Sequence, residues 1–174
     1  RPRIDKEILE KYHEGLIIIS ACLGGEMDKK IAAENYAGAR ECAKWFKRVF
    51  GEDYYLELQR HPAVDPKNRA EVYEVQERCI KEKLKIAKEL DIKVVATNDV
   101  HFLNADDADA HDLLLCISTK KDYDDPNRMR YTRHEWFKTT AEMEALFTDI
   151  PEAITNTDEI VGKIEEYGLD SDPI

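Results

Sequence analysis

The chain has 174 residues, 43% of them hydrophobic and 36% charged, which supplies enough apolar material for one packed core and excludes a disordered chain. A net charge of −11 argues against gripping nucleic acid over a broad surface, because phosphate binding draws on Lys and Arg, but it leaves room for an acidic site acting on a strand end. No apolar run approaches the ~20 residues of a membrane span, and no signal peptide is visible.

Residues 4–14 predict a short helix, with Asp5 as N-cap and Gly15 as its stop. Residues 16–20 are almost wholly apolar, as in a strand buried on both faces of a parallel sheet. That strand empties into Ser20-Ala21-Cys22-Leu23-Gly24-Gly25-Glu26, where two glycines permit a tight turn. Cys22 at the strand's exit reads either as a small buried thiol or as a thiolate ligand. A helix follows over residues 31–50, with Tyr36, Ala39, Ala43, Phe46 and Phe50 on one face, and Gly51 ends it. Residues 54–59 alternate well enough for a second strand. Glu57 and His61 are weak site candidates, because single ionisable groups without a partner seldom mark function.

Residues 68–90 predict a long helix whose stripe runs through Val72, Val75, Cys79, Ile80, Leu84, Ala87 and Leu90. Lys81, Lys83, Lys85 and Lys88 alternate with Glu77, Glu82 and Glu89, the pattern of a solvated face. Residues 94–103 begin as a buried strand and run into Asp99 and His101. In extended backbone these two face one way, and Asn98 and Val100 the other. A carboxylate beside an imidazole at a strand end can hold a metal or position a base; an ordinary hydrogen-bonded turn is the alternative. Strand and helix thus alternate from 16 to 96, the pattern of an α/β fold with parallel strands.

Asn104 caps a further helix whose apolar side is Leu113, Leu114, Leu115 and Ile117, and where His111 reads as a partly buried helix histidine. Residues 118–129 form a polar, Asp-rich loop. Arg128, Arg130, Arg133 and His134 interleave with Tyr131, ahead of Trp136-Phe137. Such a mixture can hold single-stranded nucleic acid, although in so acidic a chain a short edge strand packing its aromatics is the plainer reading. Thr139 to Glu142 starts a capping-box helix through Phe147, and the last helix starts at 149–152 with Ile154, Thr157, Val161 and Ile164 inward. Four cysteines, at 22, 42, 79 and 116, form no Cys-x-x-Cys pair, so reduced thiols and a cytoplasmic setting are expected. Both ends read as cut: one domain over 1–165 and a linker over 166–174 of a longer protein.

Several segments together resemble one family: Lys11-Tyr12-His13-Glu14-Gly15-Leu16-Ile17, the Ser20-to-Glu26 turn, Tyr55-Leu56-Glu57-Leu58-Gln59, Ala96-Thr97-Asn98-Asp99-Val100-His101-Phe102, Ala110-His111-Asp112-Leu113-Leu114-Leu115-Cys116-Ile117 and Asp124-Asp125-Pro126. In order and spacing they are similar to the later part of the PHP (polymerase and histidinol phosphatase) domain of bacterial DNA polymerase III alpha subunits. The resemblance implies a partial, distorted (β/α)7 TIM-like barrel missing its first strands, with metal chemistry at the C-terminal rim. It implies Cys22 as a cysteine ligand, and Asp99 and His101 as the final Asp-x-His ligands. Such mixed donors suit Zn²⁺, with Mn²⁺ or Fe as alternatives.

The resemblance implies a replicative DNA-directed DNA polymerase as the parent, and for this domain the activity of a metal-dependent phosphoesterase, with 3′–5′ proofreading exonuclease action in some polymerase-linked members. Implied partners are DNA and replisome subunits, among them a sliding clamp and an exonuclease subunit. The family's His-x-His pair and its other early ligands are absent here. The piece alone is therefore expected to bind metal weakly or not at all and to catalyse nothing. An exposed sheet edge through which it self-associates is a further expectation. A metal-free docking module and a stand-alone phosphatase of the histidinol-phosphatase type are the competing classes.

Overall fold

The structure, a computed structural model, describes residues 3–63 and 65–168. The chain's first two residues, and the part of the expected linker at 169–174, lie outside them. Helix α1 (Lys6–Lys11) starts where expected, the Asp5 carboxylate accepting from the Ile8 amide at 2.9 Å. It stops short of Gly15 because the His13 ring takes the Glu10 carbonyl at 2.7 Å, the group that another helical turn would use. Gly15 then reverses the chain at φ +74°.

Three parallel strands follow in the order β1-β2-β3: β1 (Ile18–Ile19), β2 (Tyr54–Leu58) and β3 (Lys93–Ala96). Register is fixed by Ile19 opposite Tyr55 and by Leu58 opposite Ala96. β2 is central and buried along its whole length, so it is not the alternating strand that its sequence predicts. β1 departs the other way. It is an edge strand of two residues, and Leu16 and Ile19 keep about two-fifths of their surface exposed (44% and 40%). An edge strand has only one ladder neighbour to cover it, whatever its composition.

The single helix expected over 31–50 is two, α2 (Glu26–Ala32) and α3 (Tyr36–Phe50). Glu34 at φ +58° breaks the run, and the Asn35 side chain caps the second helix through the Gly38 amide at 2.9 Å. Gly51 ends it at φ +56°. The long second crossover is continuous but irregular: α4 (Pro66–Asn68), a π-helical turn at Arg69–Tyr73, then α5 (Glu74–Leu90). Helix α6 (Ala108–Thr119) follows a 3-10 turn capped by Asn104 and Asp107, α7 (Thr140–Leu146) carries the Thr139–Glu142 capping box, and α8 (Glu152–Lys163) lies along β3. No described helix is long and apolar enough to cross a membrane. In place of an edge strand near Tyr131, Trp136 makes one isolated bridge to Phe102.

The core joins Met27, Ile31 and Ala43 from α2 and α3, Leu56 and Leu58 from β2, Ile80 and Ile86 from α5, and Phe147 and Ala153 from the last two helices. Cys42 and Cys79 are buried in it, and burial pushes both thiols up to about 11. The apolar side of α6 does not join: Leu113, Leu114 and Ile117 face outward.

Lys83 overturns its expected place on a solvated face. It is buried, with Nζ donating to the Glu57 carbonyl at 2.7 Å and lying 2.6 Å from Asp28 Oδ1. The ammonium and the carboxylate thus form a close, buried ion pair. Burial is the main influence on the Asp28 carboxyl, pushing its pKa up, while Lys83 opposes it. An alternating charge run gave no hint that one lysine of the series would turn inward. Lys83→Ala leaves a buried carboxylate uncompensated and is expected to cost about 3–5 kcal/mol in urea unfolding. The double change Asp28→Leu with Lys83→Met should recover most of it; a loss below ~1 kcal/mol for Lys83→Ala would contradict this role for the pair.

Candidate functional site

Parallel pairing sends all three strands out at one end. Ser20 leaves β1 still in register, its amide bonded to the Tyr55 carbonyl at 3.0 Å and its hydroxyl accepting from the Glu57 amide at 2.9 Å. Ala21 then adopts φ +65°, and the Gly25 amide closes on the Cys22 carbonyl at 2.7 Å. A Cβ on Gly25 would stand 2.8 Å from the Ser20 carbonyl oxygen, so this turn requires glycine. Cys22 is half-buried and free, its Sγ approached by the Gly24 amide at 3.4 Å.

At the exit of β2 the side chains point into a dense polar layer. Glu57 accepts from Gln59 Nε2 at 2.8 Å and from the Thr97 hydroxyl at 2.5 Å, which ties β2 to β3 beneath the rim. Its carboxylate is committed to holding the strands. His61 is buried with both ring nitrogens used: Gln76 Nε2 donates to Nδ1 at 3.1 Å, and Nε2–H donates to the Asn98 carbonyl at 3.1 Å. The Gln76 side-chain oxygen also accepts from the His61 amide at 2.8 Å. Glu135 lies 3.7 Å from His61 Nδ1 and accepts from Thr132 and from the His134 amide.

At the exit of β3, Asn98 Nδ2 donates to the carbonyls of His134 (3.0 Å) and Trp136 (2.7 Å), stitching the 131–138 segment to the rim. Asp99 is not extended. It lies in the left-handed region at φ +48°, so the same-side argument for residues two apart fails locally. The His101 ring instead folds back, Nδ1–H donating to the Asp99 carbonyl at 2.6 Å, with the Asp99 carboxylate 4.0 Å away. That bond fixes the proton on Nδ1 and leaves Nε2 with its lone pair, which receives the Tyr131 hydroxyl at 3.0 Å. Three non-glycine residues at positive φ, Ala21, Asp99 and Arg133, cluster at this rim, whereas Glu34, Asp91 and Lys120 simply end helices. Backbone held in this way away from helix ends gathers at functional sites.

The result is a cavity of about 190 Å³ lined by Cys22, His61, Gln76, Asp99, Tyr131 and Glu135, among others. Val72 of the π-helical turn also reaches it. Cys22 and Asp99 therefore meet at one opening, while His101 joins from behind Tyr131. Among the described residues, no three Cys, His, Asp or Glu side chains lie close enough to hold a metal ion. The donor chemistry, one thiol, one carboxylate and one imidazole whose Nε2 lone pair now accepts from Tyr131, fits a borderline metal; the number of converging donors does not. Asn98 Oδ1, one residue before Asp99, is buried without a hydrogen-bond partner among the described residues, so the rim also holds an unspent acceptor. Tyr131, Gln76 and Glu135 carried no motif. Tyr131 lies in the mixed basic and aromatic stretch and Gln76 in the long helix, and only the tertiary fold brings them together with Glu135.

A PHP-domain family model matches residues 1–61, which takes in Cys22 and stops before Asp99. The chain is 43% identical over 170 residues to the DNA polymerase III subunit alpha of Borreliella burgdorferi, covering 97% of this chain and 14% of that protein. It is 41% identical over 173 residues to the protein of the same name in Campylobacter jejuni, covering 93% and 14%, and 35% identical over 174 residues to that of Helicobacter pylori, with the same shares. The chain thus spans about one seventh of the length of these relatives.

Burial holds the His61 pKa below its ordinary 6.5, and His134 shifts the same way. Below that pH the unfolded chain takes up a proton that the native state refuses, so the stability from His61 is present above about 6.5 and lost as pH falls. The urea midpoint is expected to drop between pH 7 and 5, and to drop less steeply in His61→Gln. An equal slope in both proteins would contradict the neutral, buried imidazole.

Proposed function

This chain is a PHP-domain homologue of part of the DNA polymerase III alpha subunit, and from that premise we propose that its rim supplies one side of a metal-dependent phosphodiester-cleaving site. The observation that carries the reading is the arrival of Cys22 and Asp99 at one cavity from two parallel strand exits, with His101 directly behind. The three-stranded sheet is an arc of a distorted (β/α)7 barrel, and donors outside this chain complete the site in the longer protein. This chain alone binds metal weakly. In the intact protein the site removes nucleotides from a DNA 3′ end, alongside the polymerase chemistry named for the relatives, with DNA and replisome subunits as partners.

Cys22, Asp99 and His101 would hold a divalent ion, Zn²⁺ first among candidates, whose chemistry there would be Lewis-acid activation of the phosphate and of water. Cys22 Sγ and the Asp99 carboxylate bring negative charge to the ion. His101 brings a neutral Nε2, held in that tautomer by the Asp99 carbonyl. The Tyr131 hydroxyl, which donates to Nε2 at 3.0 Å, would have to release that nitrogen for it to ligate, and would then be free to bind a phosphate oxygen. Leu23, Val72 and Met129 on the cavity wall limit water at the reacting end. A metal-free scaffold is the second reading, favoured by the hydrogen bonds that already occupy both His101 nitrogens.

In the full-length protein, Asp99→Asn and His101→Gln are each expected to lower metal-dependent release of nucleotides from a 3′-labelled single strand by roughly 100-fold, the upper range for disturbing a metal site. Unchanged release in both variants would leave the scaffold reading.

A further inference from the structure

Beyond Tyr131 a second cavity, of about 380 Å³, opens between α6 and the 123–133 segment. Its size falls in the range of small-ligand sites, and its composition is unlike the rest of this acidic surface. Phe102, His111, Tyr123 and Tyr131 line it. His111 sits edge-on to Tyr131 with centroids 5.1 Å apart, and Phe102 lies 5.2 Å from His111, so three rings form one continuous wall.

The charges along this segment are not equivalent. Arg128 is buried and holds the Asp112 carboxylate through two bonds of 2.5 and 2.6 Å, with Nε on the Tyr123 carbonyl at 2.7 Å. It is a built-in strut, fixing α6 to the loop and supporting the Tyr123 ring, which lies 4.8 Å from its guanidinium. Arg133 is paired with Asp109. Arg130 differs: its guanidinium touches only the backbone carbonyls of Asp125 (3.2 Å) and Tyr123 (3.4 Å), and it forms no ion pair among the described residues. Of the acids on the lining, Asp65 is spent capping α4 and Asp112 is spent on Arg128. Asp124 stays exposed at the opening, able to accept from a base's N–H groups while repelling phosphate toward Arg130.

An aromatic wall, an exposed tyrosine face and one guanidinium with no carboxylate ion pair among the described residues match the parts of a nucleotide. We propose that this cavity is a subsite for one nucleotide of a single-stranded nucleic acid, its base against Tyr123 and Tyr131 and its phosphate on Arg130. The inference rests on the hydrolytic reading for its purpose, since Tyr131 belongs to both cavities and bonds His101, so a base seated here lies next to the reacting phosphodiester. The occupancy itself can be read without any reaction.

The test is binding of a labelled six-nucleotide oligodeoxythymidine to this chain and to the full-length protein, followed by fluorescence anisotropy across a salt series. Tyr123→Leu keeps apolar bulk but loses the ring, and is expected to weaken binding roughly 5- to 100-fold. Arg130→Gln is expected to weaken binding and lower the log–log salt slope by about 0.7, one single-strand phosphate contact. Lys85→Gln, whose exposed ammonium pairs with Glu82 away from both cavities, should bind as the parent does. Oligonucleotide bound equally by Tyr123→Leu, Arg130→Gln and the parent, or not bound by the parent at all, overturns the subsite even if Asp99→Asn still abolishes hydrolysis. Binding that depends on Tyr123 and Arg130 upholds it even if Asp99→Asn hydrolyses normally, in which case the reaction reading fails alone.

Discussion

The parallel pairing of β2 with both its neighbours decides where everything else at the rim can be. β2 is five residues long and buried throughout, with ladder partners on either side, so its direction and register are shared by β1 and β3. Three chain segments consequently leave the sheet at the same end. Each then turns sharply, at Ala21, at His61 and at Asp99, and these turns deliver a thiol, an imidazole and a carboxylate to one small volume. An antiparallel pairing of β2 with both neighbours would have left Cys22 and Asp99 at one end and sent His61 to the other.

A layer of polar side chains beneath that rim keeps the exits in place. Buried polar groups are costly unless they are satisfied, and here most satisfy one another, Asp28 Oδ1 and Asn98 Oδ1 being the exceptions among the described residues. Glu57, Gln59 and Thr97 link β2 to β3, Ser20 links β1 to β2, and Lys83 reaches from α5 to the β2 backbone while facing Asp28 of α2. Gln76 and Asn98 orient His61 and anchor the 131–138 segment. These bonds are directional, so they limit how far the exits can shift without breaking several contacts at once. That rigidity suits a site whose donors must hold position before a ligand arrives.

The alternation of strand and helix was legible from residues 16 to 96, because glycines, caps and apolar runs are local signals. Asp5, Asn104 and Thr139 cap as their sequences predict, and Gly51 ends its helix. Burial was legible only where it follows local pattern. An isoleucine run looks the same at an edge as at a centre, so β1 was misplaced inward. A lysine series looks solvated even when one member meets a buried carboxylate, as Lys83 does. The helix break at Glu34 turned on a single asparagine cap in a run rich in helix formers. At the site, Cys22, Asp99 and His101 stood out because each follows an apolar strand. Gln76 did not, and Tyr131 did only as part of a basic and aromatic stretch, since their contacts with His61 and His101 lie 15 and 30 residues away in sequence.

The proposed site requires Cys22, Asp99 and His101 to hold one metal ion in the longer protein. X-ray absorption at the zinc edge of the full-length protein loaded with Zn²⁺ addresses that directly. The predicted spectrum contains one sulfur neighbour near 2.3 Å among nitrogen and oxygen neighbours at about 2.0–2.2 Å, with the sulfur contribution lost in Cys22→Ser. A full-length protein that binds no zinc, or a spectrum that Cys22→Ser leaves unchanged, would contradict it.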